Sequence, residues 1–374
     1  MFDPLHRTIG RAWPIPADSA FHLESRASIA PLVIAYETYG RLNEARSNAI
    51  LVCHALTGSA HAAGTDIHGK KGWWDGLIGP GRALDTDRYF IICSNVIGSC
   101  YGSTGPNEID PATGAIHGSA FPTVTIRDIV RAQRLFLWKL GVEKLHAVIG
   151  GSMGGMQVLE WSLLFPDDLL LAIPIATGAI HSPWRTALTS AAREAIALGR
   201  AAGDETAGLR LARKIATVSY RSSIEFSERF ACSPRVELPG STHDCFPVQS
   251  YLEHQAHALA ARFDAATYDV LTRAMDLHDI RRGRGELNET LGLIPHPALC
   301  IGISTDLLYP CGEVRELAHL IPNGRYAEIS SIHGHDAFLI EYNQLNRIVA
   351  GFLAEHATAL HPLPPATQPE EYNS

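Results

Sequence analysis

The sequence predicts an α/β fold: a mostly parallel, doubly wound sheet with helices on both faces and an α-helical lid inserted part-way along the chain. Three observations carry that reading. Short apolar runs alternate with helical patterns up to residue 178 and again from residue 294. Between 179 and 293 the alternation stops and only helical patterns remain, rich in Ala and Arg. One of the apolar runs ends at Gly150-Gly151-Ser152-Met153-Gly154 and passes straight into a helical stretch. Apolar strands that alternate with helices build a parallel sheet covered on both sides. The expected domains are residues 1–178 together with 294–360 as the sheet domain, 179–293 as the lid, and 361–374 as a disordered tail.

Taken in order, residues 1–30 read as irregular and polar. Pro31–Tyr39 and Asn48–His54 read as strands. A long Gly/Trp/Pro-rich loop runs from Thr57 to about Asp85, Arg88–Asn95 is a third strand, and a second long loop spans Val96 to Pro122. Loops of that length inside a compact region usually serve function. Thr125 to Leu140 carries apolar positions at helical spacing and stops at Gly141. His146–Ile149 leads into the serine turn, Met156–Leu164 is helical, and Leu169–Ala176 is a further strand. The insertion shows helical patterns at Thr186–Arg200, Thr206–Thr217, Gln249–Arg262 and Tyr268–Leu277. Strand Pro297–Ser304, helix Cys311–Ile321, strand Arg325–Ile329 and helix Asp336–Glu355 close the domain. No internal repeat is visible.

Composition excludes several classes. The net charge is −8, with no Lys/Arg cluster, which argues against a nucleic-acid groove or an anionic membrane as partner. No apolar run approaches the roughly 20 residues of a membrane span, and no secretion signal is indicated, so a cytoplasmic location is expected. Seven scattered cysteines read as reduced thiols. The spacing of the 18 histidines supplies no ligand set, and no metal is expected. The stretch Gly64 to Lys70 is close to a phosphate-binding loop, but Lys71 follows in place of Ser/Thr and no helix opens there.

A serine at the apex of a strand–turn–helix bend, with glycines two positions away on each side, is built as a nucleophile. Its hydroxyl needs a base, and the base needs an orienting acid. Asp306 follows the strand Pro297–Ser304, and His335 follows the strand Arg325–Ile329. The order Ser152, Asp306, His335 is that of the α/β-hydrolase arrangement. His333 competes with His335, and Glu313 with Asp306. Asp306 can also be read as a helix cap. An oxyanion hole needs two backbone amides; Met153, after the nucleophile, and Leu56, in the loop after Asn48–His54, are the candidates. His54 is expected to pack behind the hole.

These residues, with His54-Ala-Leu-Thr-Gly58, Gly72-Trp-Trp-Asp-Gly-Leu-Ile-Gly-Pro-Gly81, Gly102-Ser-Thr-Gly-Pro106, Thr125-Ile-Arg-Asp128, Gly150-Gly-Ser-Met-Gly-Gly-Met-Gln157 and Gly334-His-Asp-Ala-Phe-Leu339, resemble the homoserine O-acetyltransferases of methionine biosynthesis. The resemblance implies a triad of Ser152, Asp306 and His335, oxyanion donors Leu56 and Met153, and a lid that contributes to a homodimer. It implies Arg213 and Tyr220, seven residues apart, as binders of the substrate carboxylate region, with Arg221 a competing placement for Arg213. Asp336 is expected to meet the substrate ammonium. The reaction it implies is acetyl transfer from acetyl-CoA, a co-substrate, to L-homoserine through a Ser acyl-enzyme, with no cofactor. Relatives with the same motifs use succinyl-CoA or acylate serine, and an esterase is the more remote alternative. One departure stands out: Asn107-Glu108 replaces the Ser-Ser pair common in the family, in a loop that would bear on the acyl donor if it lines the donor entrance.

Overall fold

A computed structural model describes residues 5–16, 19–111, 113–230 and 246–357. Its strands are β1 (Thr8–Ala12), β2 (Phe21–His22), β3 (Ser28–Ile29), β4 (Ile34–Tyr39), β5 (Ala49–Cys53), β6 (Phe90–Ser94), β7 (Ala147–Gly151), β8 (Ala172–Ile175), β9 (Ala298–Ile303) and β10 (Gly324–Ile329). Eight of them form one sheet in the order β1-β4-β6-β5-β7-β8-β9-β10. From β6 to β10 neighbouring strands run parallel, whereas β4 is antiparallel to β6 and β1 antiparallel to β4. Every residue of β5, β7, β8 and β9 is buried. Alternate residues feed two cores: Leu51 and Cys53 face one, Ile50 and Val52 the other. A strand apolar on both sides needs a layer of helices on each, and the chain supplies them.

The helices are α1 (Ile126–Lys139), α2 (Met153–Leu164), α3 (Pro183–Ala201), α4 (Glu205–Tyr220), α5 (Ser223–Arg229), α6 (Pro247–Ala260), α7 (Ala265–Asp276), α8 (Leu287–Gly292), α9 (Cys311–Leu320) and α10 (Tyr342–Glu355). Between β8 and β9 the described residues contain helices α3 to α8 and no strand of the sheet. The start of α1 is fixed by a capping box. Thr125 accepts from the Asp128 backbone N–H, and the Asp128 carboxylate accepts from the Thr125 N–H at 3.0 Å. The Thr125 hydroxyl also donates to Glu24 at 2.6 Å, tying the N-terminal segment to the helix.

Three sequence expectations need correction. Residues 1–30 are not wholly irregular: Thr8–Ala12 forms the edge strand of the sheet, a short polar segment held on one side only, with Gly10 lying against the Tyr36 ring. The stretch Asp336–Glu355 is not one helix. A 3-10 turn, Gly334–Leu339, comes first, and α10 starts only at Tyr342. Short helices α5 and α8 escaped the periodicity, being too brief to show an apolar stripe. The tail 361–374, Cys232 and Cys245 lie outside the described residues. No helix among the described residues is long and apolar enough to cross a membrane.

Thr125→Val removes the cap acceptor and the Glu24 tie together. It is expected to lower the unfolding free energy by about 1–2 kcal/mol, read as a lower urea midpoint at unchanged slope.

Candidate active site

β7 ends at Gly151 and α2 begins at Met153, so Ser152 occupies the bend between them with φ 58° and ψ −123°. A residue with a side chain rarely adopts that conformation, which costs of order 1–3 kcal/mol. It persists because neighbouring backbones pass under the bend. A Cβ on Gly154 would lie 2.1 Å from the Cys53 carbonyl oxygen, and one on Gly150 would lie 2.7 Å from it. Ser152 is buried, 8% exposed, at the N-terminus of a helix whose dipole favours negative charge.

The partners come from the next strand ends across the sheet. Asp306, after β9, accepts from the Leu308 and Tyr309 N–H groups through Oδ1, at 2.8 and 3.0 Å. Its Oδ2 lies 2.7 Å from Nδ1 of His335, after β10. Asp306 therefore caps a turn and orients the imidazole at once. The His335 ring sits among Tyr309, Phe338 and Tyr220, with centroids 5.4, 5.7 and 6.0 Å away. Gly334, with φ +63°, allows this: a Cβ there would strike the Tyr220 carbonyl oxygen and the Ser222 nitrogen at 2.7 Å. His335 and Ser152 line one cavity. Among the described residues no hydrogen bond joins Ser152 Oγ to the ring, in keeping with catalytic contacts that tighten only around bound substrate.

Leu56, Tyr220, Arg213 and Asp336 line the same cavity. The backbone N–H groups of Leu56 and Met153 have no protein acceptor among the described residues. The Arg213 guanidinium lies 5.3 Å over the Tyr220 ring, with its Nε buried and unpaired. Asp336 accepts from Arg221 at 3.1 Å, and Arg221 also pairs with Glu225. A second cavity is also lined by Ser152, Leu56 and Tyr220, with Arg185, His181 and Tyr309 in its wall. No group of three or more His, Cys, Asp or Glu side chains among the described residues is placed to hold a metal ion.

A family model described as alpha/beta hydrolase fold matches residues 48–342. The chain is 51% identical to the homoserine O-acetyltransferase of Moorella thermoacetica, over 89% of this chain and 93% of that one. The chain belongs to the homoserine O-acetyltransferase family. Among solved structures it is similar to the homoserine O-acetyltransferase of Bacillus anthracis, with TM-score 0.83 and 28% identity over 94% of this chain and 98% of that one. It is also similar to an acetylester hydrolase of Corynebacterium glutamicum, with TM-score 0.79 and 26% identity over 93% and 96%. The homoserine O-acetyltransferase family thus shares its scaffold with ester hydrolysis.

The competing placements separate on geometry. His333 lies 3.4 Å from Glu225, and Glu313 pairs with Arg185 at 2.8 Å; neither lines the cavity with His335. Arg221 is taken by two carboxylates, while Arg213 faces the cavity. The departing pair also has partners: Glu108 meets Arg11 at 3.2 Å, and Asn107 donates to Asp264 at 3.0 Å. Neither is among the residues that line the cavity holding His335. Sequence reasoning passed over Arg262 and Trp73, which line that cavity. Trp73 stood inside a quoted motif without a role; Arg262, between α6 and α7, carried no local signal.

Burial pulls the His335 imidazole down, but the charge and hydrogen bond of Asp306, with the charge of Asp336, outweigh it and hold the ring above the ordinary 6.5. Only the neutral ring accepts a proton, so any reactivity of Ser152 that depends on His335 as a base is lost as pH falls through that raised value. The rate at which a fluorophosphonate labels Ser152 is expected to rise with pH around an inflection above 6.5. In Asp306→Asn the raising influence of Asp306 is gone and burial acts against less opposition. The inflection then moves to lower pH, and the plateau rate drops by about 10³–10⁴.

Proposed function

We propose that this chain transfers the acetyl group of acetyl-CoA to the hydroxyl of L-homoserine through a covalent Ser152 intermediate, a step of methionine biosynthesis carried out in the cytoplasm. One observation carries the reading: an unpaired arginine, Arg213, and a carboxylate, Asp336, line the cavity that holds Ser152 and His335. Homoserine presents a carboxylate, an ammonium and a hydroxyl. A guanidinium suits the first as a bidentate partner, Asp336 the second, and His335 can take the proton of the third.

The chemistry follows as two displacements. Ser152 Oγ attacks the thioester carbonyl while His335 takes the hydroxyl proton, and the Leu56 and Met153 N–H groups hold the oxyanion. The thiolate of CoA leaves with the proton from His335. The homoserine hydroxyl then gives its proton to His335 as its oxygen attacks the acetyl carbonyl. Ser152 leaves, recovers the proton, and is ready for the next cycle. Walls contributed by α4, α7 and the loop at Leu56 limit water access to the acyl-enzyme. Exposed Leu198, Leu211 and Val218 on α3 and α4 support a homodimer formed through the helical segment.

A succinyl donor would bring a second carboxylate and need a second free cation. Arg185 lines the other cavity at Ser152, but Glu313 takes its charge, and the Leu308 and Ile180 carbonyls accept from it. Arg262, in the wall of the cavity that holds His335, meets only the Thr57 carbonyl and the Tyr101 hydroxyl among the described residues, so the cations do not choose the donor. The acetyl donor is favoured by the relatives named homoserine O-acetyltransferase. The hydrolase reading rests on the shared scaffold; an unpaired arginine and a carboxylate in the wall of one cavity, neither of which water needs, speak against it.

Mixing the protein with acetyl-CoA or succinyl-CoA, with and without homoserine or serine, and following free thiol decides among these. Sustained thiol release is expected only with acetyl-CoA and homoserine together, and none from Ser152→Ala. Equal release without an amino acid would replace the reading by hydrolysis. Arg213→Leu is expected to raise the KM for homoserine about 10- to 100-fold, the loss of a charged hydrogen bond, with the KM for acetyl-CoA held within about twofold.

A further inference from the structure

We infer that Gln157 and His54 are positioning residues that set the two oxyanion donors in place, Gln157 by bridging both donor loops and His54 by fixing the peptide that carries the Leu56 N–H. Both side chains are fully buried, and neither reaches the reacting atoms.

The orientation of each amide follows from donors that cannot be reversed. Trp161 Nε1 only donates, and it faces Gln133 at 2.9 Å, so the Gln133 atom there is the oxygen. The Gln133 NH2 group then donates to Gln157 Oε1 at 2.8 Å. That leaves the Gln157 NH2 group for two carbonyls, those of His54 and Met153, each at 3.2 Å. One belongs to the loop leading to Leu56, the other to the first turn of α2 that presents the Met153 N–H. A single buried amide thus ties the two halves of the hole together.

His54 is fixed by similar logic. The Val96 backbone N–H donates to Nε2 at 3.1 Å, so Nε2 is an acceptor and the ring proton sits on Nδ1. Nδ1–H then donates to the Ala55 carbonyl at 2.8 Å, which also accepts from the Gly58 N–H at 2.9 Å. Ala55 C=O and Leu56 N–H share one trans peptide plane and point in opposite directions. Pinning the carbonyl therefore aims the N–H. Burial holds the ring neutral, with its pKa lowered to about 4, so the arrangement persists across neutral pH.

The inference rests on the proposed acyl transfer only through Ser152 and its oxyanion hole, so it is tested with a substrate that needs neither CoA nor homoserine. Full-length Gln157→Met, His54→Leu and His54→Asn are compared with the unchanged protein by the burst of p-nitrophenol from p-nitrophenyl acetate, normalised to folded protein. The first two are expected to lose about 10- to 100-fold in burst rate, less than deletion of an oxyanion donor itself. They should lose affinity for an alkyl boronic acid, a mimic of the tetrahedral intermediate, by the same factor, with the homoserine KM within about twofold. His54→Asn, whose NH2 group can stand in for Nδ1–H, should recover most of the rate. Histidine-selective ¹⁵N NMR of the unchanged protein should report His54 as the neutral Nδ1–H tautomer at pH 7, a readout independent of whether any variant folds. Burst rates within twofold of the unchanged protein in folded Gln157→Met and His54→Leu, or an Nε2–H tautomer, would overturn the inference. A burst without acetyl transfer to homoserine would overturn the proposed function and leave the inference standing.

Discussion

The close passage of the Cys53 carbonyl beneath Gly154 is the contact on which the site depends. With 2.1 Å between that oxygen and where a Cβ would stand, the bend at Ser152 can form only over glycine. The same contact brings the end of β5 against the start of α2. The loop that carries Leu56 therefore begins beside the turn that carries Ser152 and Met153. Ser152 and the Leu56 and Met153 N–H groups, the proposed nucleophile and oxyanion donors, do not have to be gathered from distant parts of the molecule, because one steric constraint places them together. The strained backbone at Ser152 is tolerated because β7 is fully buried and paired on both sides, by β5 and β8.

The proposed acid–base partners of Ser152 are distant in sequence but ordered in space. β7, β8, β9 and β10 are successive neighbours in the sheet. The residue following β7 is Ser152, and the loops after β9 and β10 provide Asp306 and His335. Parallel strands send all these loops to the same edge, which is why ligand sites of such sheets gather at the carboxyl ends. Asp306 uses one oxygen for two backbone amides and the other for the imidazole. Its position is thus set by the turn, and the ring follows. The surrounding aromatic rings exclude water and would, by burial, favour the neutral imidazole; the carboxylate opposes that and keeps the base within reach of protonation.

Much of this was legible because the signals are local. Buried parallel strands such as Ala49–Cys53 and Ala298–Ile303 are apolar on both sides and announce themselves in the sequence. The glycine spacing around Ser152 and the capping box at Thr125 are short-range as well. What was not legible depends on partners elsewhere. Thr8–Ala12 is a strand because β4 offers it an edge, not because its own residues demand it. The helix read as continuous from Asp336 breaks at Ile340 and Glu341, because the turn that presents His335 must fold back before α10 can start. The sequence offers Arg213 for the carboxylate, with Arg221 as a competing placement, and nothing local separates them. Arg213 and Tyr220 are seven residues apart and share a helix face. Arg221 lies beyond the end of α4, where its direction is set by Glu225 and Asp336.

Carboxylate pairing also sets Arg213 apart from several other arginines of the fold. Arg127 meets Glu160 at 3.0 Å and Glu24 at 3.6 Å, Arg284 meets Glu160 at 2.7 Å, and Arg185 meets Glu313 at 2.8 Å. Each poorly hydrated guanidinium has a carboxylate from the fold itself, as its desolvation demands. Arg213 does not among the described residues: a tyrosine ring lies against it, and its Nε is buried without an acceptor. Cation–π contact offsets only part of what a carboxylate would supply. A charge kept in that state, in the wall of the cavity that holds Ser152, lowers its free energy when an anion enters. The carboxylate of an amino-acid acceptor is an anion of the right charge and shape. In the proposed reaction that anion is the carboxylate of the acceptor, whereas ester hydrolysis by water alone would bring Arg213 none.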